Sequence, residues 1–464
     1  MTRSPDPELE SHGREARVPC AALVGVLVAL ASSGCSPSPA ATDAGAADAF
    51  RAPVDGNGAD VNAPPVDAYV PRSDAGRPSG TVAERARAIA TTLRGSPRLL
   101  VGMGNDLDGA PTYDANRAGV YTLGTTLDIH YTYLTGYSDQ GGWSTWNTDG
   151  AFATILADAC QRNGGLAPMF TYYQLALEYE NGNDALRDAD RMHVYLSDVR
   201  LLFQRLGDYG HPALVQFEPD FFGYLQARMR DMGTTPDAYA AELHFGDIPE
   251  CASVPATAAG LVECFVRMRD ALAPMALIGL HASAWGDSWD DRNASSSEIE
   301  GKAQSVAAFL TAMRADLVEF VTVEALDRDA GFWETNGGNA GTCSVTGGSR
   351  GAVYWDETNA TRPNFTDHLH WVSALTTALG RPALWWQLPF GAPETTCGGP
   401  GGGSDGHWRD NRVHYFFSHP EELVAAGSFG MVFGTGAGRQ TDWTTDGNAF
   451  HDAVNAYVAA PVGL

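Results

Sequence analysis

Positive charge is scarce in this chain. Thirty Lys and Arg stand against 56 Asp and Glu in 464 residues, a formal net charge of −26. A surface of that sign repels nucleic acid and anionic membranes and suits neutral or cationic partners. Cysteine is sparse too, seven in all. The five beyond residue 35 (Cys160, Cys251, Cys264, Cys343 and Cys397) match no metal-ligand spacing. HExxH, a Walker loop and paired Cys-x-x-Cys are missing, so neither a metal nor a cofactor is expected. Gly347-Gly-Ser349-Arg-Gly351 fits G-x-S-x-G in letters, but no strand precedes it and no helix follows. Nor does any apolar run reach the ~20 residues that a membrane-spanning helix needs.

The longest apolar run, Cys20 to Ala31, follows a polar lead holding Arg3, Arg14 and Arg17. That is the layout of an export signal over residues 1–35. Its ending, Ser32-Ser33-Gly34-Cys35, resembles the bacterial lipoprotein box, in which the cysteine becomes lipidated; Ser32 stands where that pattern usually has Leu. The resemblance implies a lipid on Cys35 and anchoring to the bacterial outer membrane, the only membrane contact expected. Simple secretion is the other outcome; both place the chain outside the cell or on its surface. Residues 36–80 are rich in Ala, Asp, Pro and Gly and poor in large apolar side chains. Such a stretch cannot offset its chain entropy by burial, so it is expected to be a disordered tether. In an oxidising compartment Cys251 with Cys264, and Cys343 with Cys397, are expected disulfides, and Cys160 a buried thiol.

From residue 81 to 464 short apolar runs alternate with helical stretches. The runs lie at 99–106, 126–133, 166–174, 213–220, 276–283, 319–327, 382–391 and 428–436. Eight strands alternating with helices predict an α/β fold, a (β/α)8 TIM barrel, as one monomeric domain. A doubly wound open sheet is the alternative, but GMGND after the first run is not its phosphate-loop fingerprint. Because strand side chains alternate, polar residues sort onto one face. That face is expected to hold Asp128, His130 and Thr132 on strand two, Gln216 and Glu218 on strand four, and Gly279, His281 and Ser283 on strand five. Strand six adds Thr322 and Glu324, and strand seven Trp385 and Gln387. In a barrel this face points inward, its last members reaching the C-terminal mouth where barrel enzymes carry their chemistry.

Glu218 and Glu324 end strands two apart and form the sharpest pair. One carboxyl that protonates a leaving oxygen and one that attacks or activates water are the minimum for cleaving a glycosidic bond. The gap needed is ~5–5.5 Å for retention and ~6.5–9.5 Å for inversion. Eight of the eleven tryptophans (Trp143, Trp146, Trp285, Trp289, Trp333, Trp355, Trp408 and Trp443) fall in loops after strands, where they would offer flat apolar faces to sugar rings. The chain thus resembles secreted (β/α)8-barrel glycoside hydrolases. Glu218-Pro219 is similar to the Asn-Glu-Pro acid/base motif of the large retaining clan that includes many cellulases and mannanases, with Phe217 in the Asn place. That clan's nucleophile ends strand seven, where Gln387 stands here; barrel α-galactosidases use carboxylates on strands four and six. The resemblance implies Glu218 as acid, Glu324 as base or nucleophile, and a poly- or oligosaccharide substrate.

Supporting roles are expected for Asp128, His130, Trp143, Trp146, Tyr173, Trp285, His281, Gln387, His407 and Trp408 in holding substrate. Asp220 and Asp327 would tune a catalytic carboxyl by like-charge repulsion. The segment Gly406 to Arg412 would be a substrate clamp or an ion-paired helix start. The long loops after strands six and seven carry Cys343 and Cys397, whose bridge would hold both over the mouth. Two rivals remain open: a metal-dependent hydrolase or isomerase with Asp128, His130, Glu218, His281 and Glu324 as ligands, and a non-catalytic glycan-binding surface protein.

Overall fold

The computed structural model describes residues 80–104, 119–289, 295–325, 355–391, 410–436 and 441–464. The chain divides into two units after Pro65, and every described residue belongs to the second. Trp333, Asp327, His407, Trp408, Cys35, Cys343 and Cys397 lie outside the described residues, as do the signal segment and most of the tether.

Eight parallel strands close into a barrel in sequence order: β1 Leu100–Gly104, β2 Ile129–Thr135, β3 Ala167–Tyr173, β4 Ala213–Phe217, β5 Ala276–His281, β6 Phe320–Val323, β7 Ala383–Leu388 and β8 Ser428–Phe433. Seven lie within an apolar run of the sequence and β2 overruns its run by two residues, so the (β/α)8 expectation holds. Helices α1 Val82–Arg94, α2 Ala151–Arg162, α3 Leu175–Glu180, α4 Ala189–Tyr209, α5 Phe221–Met232 and α6 Ala258–Leu272 are followed by α7 Ser296–Ala312, α8 Phe365–Leu379, α9 Arg412–Ser418, α10 Pro420–Ala425 and α11 Ala449–Ala459.

Two cores follow from strand alternation. Inside the barrel, Leu100, Ile129, Met169, Leu214, Phe320, Leu384 and Phe429 form one buried cluster with Ala86, Ile89, Ala90 and Leu93 of α1. That helix therefore closes the N-terminal end. Its first turn is fixed by a reciprocal capping box between Thr81 and Glu84. Room inside is tight: a Cβ on Gly279 would sit 2.2 Å from the Phe320 ring, so β5 must carry glycine there for β6 to carry phenylalanine. Outside, Val215, Phe217, Ile278, Leu280, Val321, Val323 and Trp385 join the helix layer.

The N-terminal end is pinned by buried carboxylates. Asp128, 2% exposed, accepts from Arg94 Nε at 3.1 Å, from both Arg98 nitrogens at 2.7 and 2.6 Å, and from the Val101 amide at 3.0 Å. Glu319 does the same before β6, accepting from the buried Arg269 at 2.9 Å and the Ile278 amide at 2.8 Å. Asp128 thus belongs to the end of the barrel opposite the mouth, and its expected substrate role is corrected. It precedes the first strand residue, where the neighbouring strand end leaves an amide to satisfy. Of the expected disulfides, Cys251–Cys264 is formed, and Cys160 is a free buried thiol.

Removing one partner of a buried ion pair strands the other charge. Asp128→Ala is expected to lower the unfolding free energy by roughly 3 kcal/mol in urea titrations. A loss within experimental error would contradict this role.

Candidate active site

The residues at the C-terminal rim can be placed strand by strand. On β2 the alternation runs opposite to the expected phase. Ile129, Tyr131 and Tyr133 belong to the barrel interior, while His130 faces the helix layer, its Nδ1 3.0 Å from the Tyr121 hydroxyl and 3.9 Å from Cys160 Sγ on α2. His130 is therefore corrected to a structural histidine. The same inversion occurs on β7. Trp386 lies inside, edge-on to Tyr131, Tyr133 and His281 at 6.3, 5.7 and 5.6 Å. Trp385 lies outside and donates its Nε1 proton to Ser428 Oγ at 2.9 Å. A register shift between Trp385 and Leu388, with Gln387 at φ +53°, disturbs this strand's end. Gln387 is buried and donates to the Thr435 carbonyl at 3.2 Å.

Glu218 follows β4 at φ +55° and is completely buried. Its carboxylate accepts from three consecutive amides where β3 turns into α3: Gln174 at 3.2 and 3.1 Å, Leu175 at 2.9 Å and Ala176 at 3.3 Å. The Tyr195 hydroxyl of α4 adjoins it without meeting hydrogen-bond geometry. Glu218 thus latches the turn that carries Tyr173, a different task from the catalytic one expected of it. Burial pushes its carboxyl up from 4.5 to about 7, against the backbone bonds and Tyr195, which pull it down.

Two residues on, Asp220 is half-buried at φ +68° and begins α5. Its amide donates to His281 Nδ1 at 3.4 Å, and its charge, after burial, is the largest influence raising the Tyr173 phenol. Tyr173 itself packs edge-on to Tyr133 at 6.0 Å. His281, the last residue of β5, is fully buried, with Ser283 Oγ 3.1 Å from Nδ1; burial pushes its imidazole down to about 3. Glu324 follows β6 and is half-buried; the alternation set by Phe320 directs it inward. The next residue's carbonyl, Ala325 O, accepts from the buried Arg412, which is also paired with Asp410. The described part of the Gly406–Arg412 segment is therefore an ion-paired helix start that braces the loop behind Glu324.

The structure gathers Tyr133, Tyr173, Asp220, His281, Trp386 and Glu324 around one mouth. It leaves out three of the tryptophans expected there. Trp143 is fully buried against Tyr172, and Trp289 and Trp355 are 4% and 2% exposed. Trp289 stacks on Trp371 at 5.6 Å, and His368 joins both to Trp355 and Trp385. These rings seal the helix layer, so the substrate role of Trp143 is corrected. Trp285 is half-buried against Tyr224, and Trp443 packs over Gly119. Trp146 is 38% exposed, edge-on to Phe152. Sequence reading missed Trp386, hidden in a Trp-Trp pair in which either ring could face in. The ligand set of the metal-dependent alternative does not converge, since Asp128 is at the far end and His130 points outward; among the described residues no group of three His, Cys, Asp or Glu could hold a metal.

No protein-family model matches the chain, and no curated protein matches it either. Solved structures similar to it include the GH26 endo-β-1,4-mannanase catalytic domain of Bacillus sp. JAMB-750 (10% identity, TM-score 0.42, covering 82% of this chain and 90% of that one). A Cellulomonas fimi endo-β-1,4-mannanase double mutant (10%, 0.41, 84% and 76%) and a D-allulose 3-epimerase from Methylomonas sp. (14%, 0.37, 78% and 98%) are others. Likenesses this distant assign no residue.

Glu218 yields a pH test. Because its folded pKa lies above the unfolded value, its contribution to stability is full below about pH 4.5 and is lost as pH rises through about 7. Glu218→Gln cannot ionise. The parent's stability relative to the variant should therefore fall by up to roughly 3 kcal/mol across that window in paired melts. A difference flat with pH contradicts a carboxyl whose proton is held by burial.

Proposed function

We propose that this chain is a glycoside hydrolase acting outside the cell, with the C-terminal mouth of the barrel as its active site. The observation that carries the reading is the pairing of aromatic rings with rim carboxylates. Tyr133, Tyr173 and Trp386 form a contiguous aromatic wall, and Asp220 and Glu324, both half-buried, stand at the ends of β4 and β6. Sugar C–H faces pack on indole and phenol rings, and two carboxyls suffice for the chemistry.

Glu324 keeps the role of base or nucleophile. The acid role passes from Glu218, whose oxygens are committed to amides, to Asp220 two residues on. A proton moves from Asp220 to the glycosidic oxygen as its bond to the anomeric carbon breaks. Glu324 then either bonds to that carbon or takes a proton from the attacking water. Strands two apart, at ~4.8 Å per strand, permit either gap. The export signal, the tether and the Cys251–Cys264 bridge support a place in an oxidising compartment.

The full chain, incubated with a broad panel of poly- and oligosaccharides, should release reducing ends from at least one. Glu324→Gln and Asp220→Asn should each cut kcat about 10²–10⁴-fold, and Glu218→Gln far less. No activity across the panel, or full activity in Glu324→Gln, contradicts the proposal.

A further inference from the structure

Four adjacent strands each place one polar side chain in the barrel interior that no described residue satisfies. Gln216 on β4, His281 on β5 and Thr322 on β6 are fully buried, and Trp386 on β7 is 2% exposed. Gln216 Nε2, His281 Nε2, Thr322 Oγ1 and Trp386 Nε1 have no hydrogen-bond partner among the described residues. A buried polar group left unpaired costs about 1–3 kcal/mol. Val, Leu and Phe would fill the same space without that cost, and here four such polar groups share one interior arc.

The sense of each group can be read from its far side. The Thr171 hydroxyl donates to Gln216 Oε1 at 3.2 Å, which leaves the amide nitrogen as the end without a partner among the described residues. The Asp220 amide donates to His281 Nδ1, so that nitrogen is an acceptor and the ring proton sits on Nε2. Indole Nε1 can only donate, and the Thr322 hydroxyl can do either. The arc is therefore donor-rich and carries no charge. Opposite it stand the rings of Tyr131 and Tyr133. No Lys or Arg is among the described inward residues, and the charged groups at the rim are the carboxylates of Asp220 and Glu324.

We propose that this arc is the recognition surface for an uncharged, hydroxyl-rich ring, a neutral pyranose unit seated in the top of the barrel. The inference rests on the saccharide reading above and narrows it. A sugar ring supplies oxygen acceptors along one edge and an apolar face for Trp386 and Tyr133. A uronic acid would bring a third carboxylate beside two others, with no cation among the described inward residues to offset it.

The test uses the full chain and titration calorimetry. The probes are neutral gluco-, manno-, xylo- and galacto-oligosaccharides beside oligogalacturonates and oligomannuronates. At least one neutral series should bind, and the acidic ones should not. Thr322→Val, which keeps the side-chain shape, should weaken that binding about 3–10-fold. Its melting temperature should stay level or rise, because an unpaired buried hydroxyl has gone. Trp386→Phe should weaken binding further while folding normally. The inference is overturned if acidic oligomers bind as tightly as neutral ones, if Thr322→Val and Trp386→Phe both bind like the parent, or if no sugar binds at all. Cleavage of acidic oligomers would overturn it while leaving the hydrolase reading intact. Neutral sugars bound through the arc yet never cleaved would uphold it and remove the hydrolase reading instead.

Discussion

A closed sheet of eight parallel strands divides its side chains into those that face the helices and those that share a confined interior. Every inward side chain occupies space its neighbours must concede, as Gly279 does for Phe320. Every inward polar atom must find a partner in that space or go without. The lower interior obeys this by being apolar, from Leu100 round to Phe429, with α1 closing the end. The upper interior is different. There Gln216, His281, Thr322 and Trp386 hold polar atoms that no other described residue satisfies. The change from an apolar floor to a polar arc is where the proposed site begins.

The carboxylates illustrate how environment divides one chemistry into separate tasks. Asp128 and Glu319 are buried beside arginines and hold strand amides at the N-terminal end. Glu218 is buried without a cation and holds three amides at the other end, which leaves its proton affinity high. Asp220 is half-buried at the rim beside a neutral His281 and near Tyr173, and Glu324 is half-buried after β6. Positive φ at Glu218, Asp220 and Gln387 shows where regular strand geometry is given up to aim these groups. The latch, the brace of Arg412 on Ala325, and the His281–Asp220 contact tie the rim to rigid elements.

The strands were legible because alternating apolar runs are long and well separated, and all eight coincide with the barrel. The phase within a strand was harder. In β2 the inward positions are Ile129, Tyr131 and Tyr133, while His130 and Thr132 face the helices, so polarity gave the wrong face. In β7 two adjacent tryptophans offered no contrast, and a register shift broke the alternation. Loop tryptophans misled for another reason. Trp289 and Trp355 reach back to Trp371, Trp385 and His368 to seal the helix layer, a contact between distant segments that spacing does not encode. On β5 and β6 the expected inward faces, with His281 and Thr322, agree with the barrel because Ile278, Leu280, Val321 and Val323 keep strict alternation on the outer side.

In the proposed reading a sugar ring occupies the upper interior between Asp220 and Glu324. The most direct measurement is a crystal structure of the full-length Glu324→Gln protein soaked with a bound neutral oligosaccharide. The account predicts one ring packed on Trp386, a sugar oxygen within hydrogen-bond reach of His281 Nε2, and a glycosidic oxygen next to Asp220. Sugar found only on the outer surface, for instance at the exposed Trp146, with the mouth holding none, would contradict it.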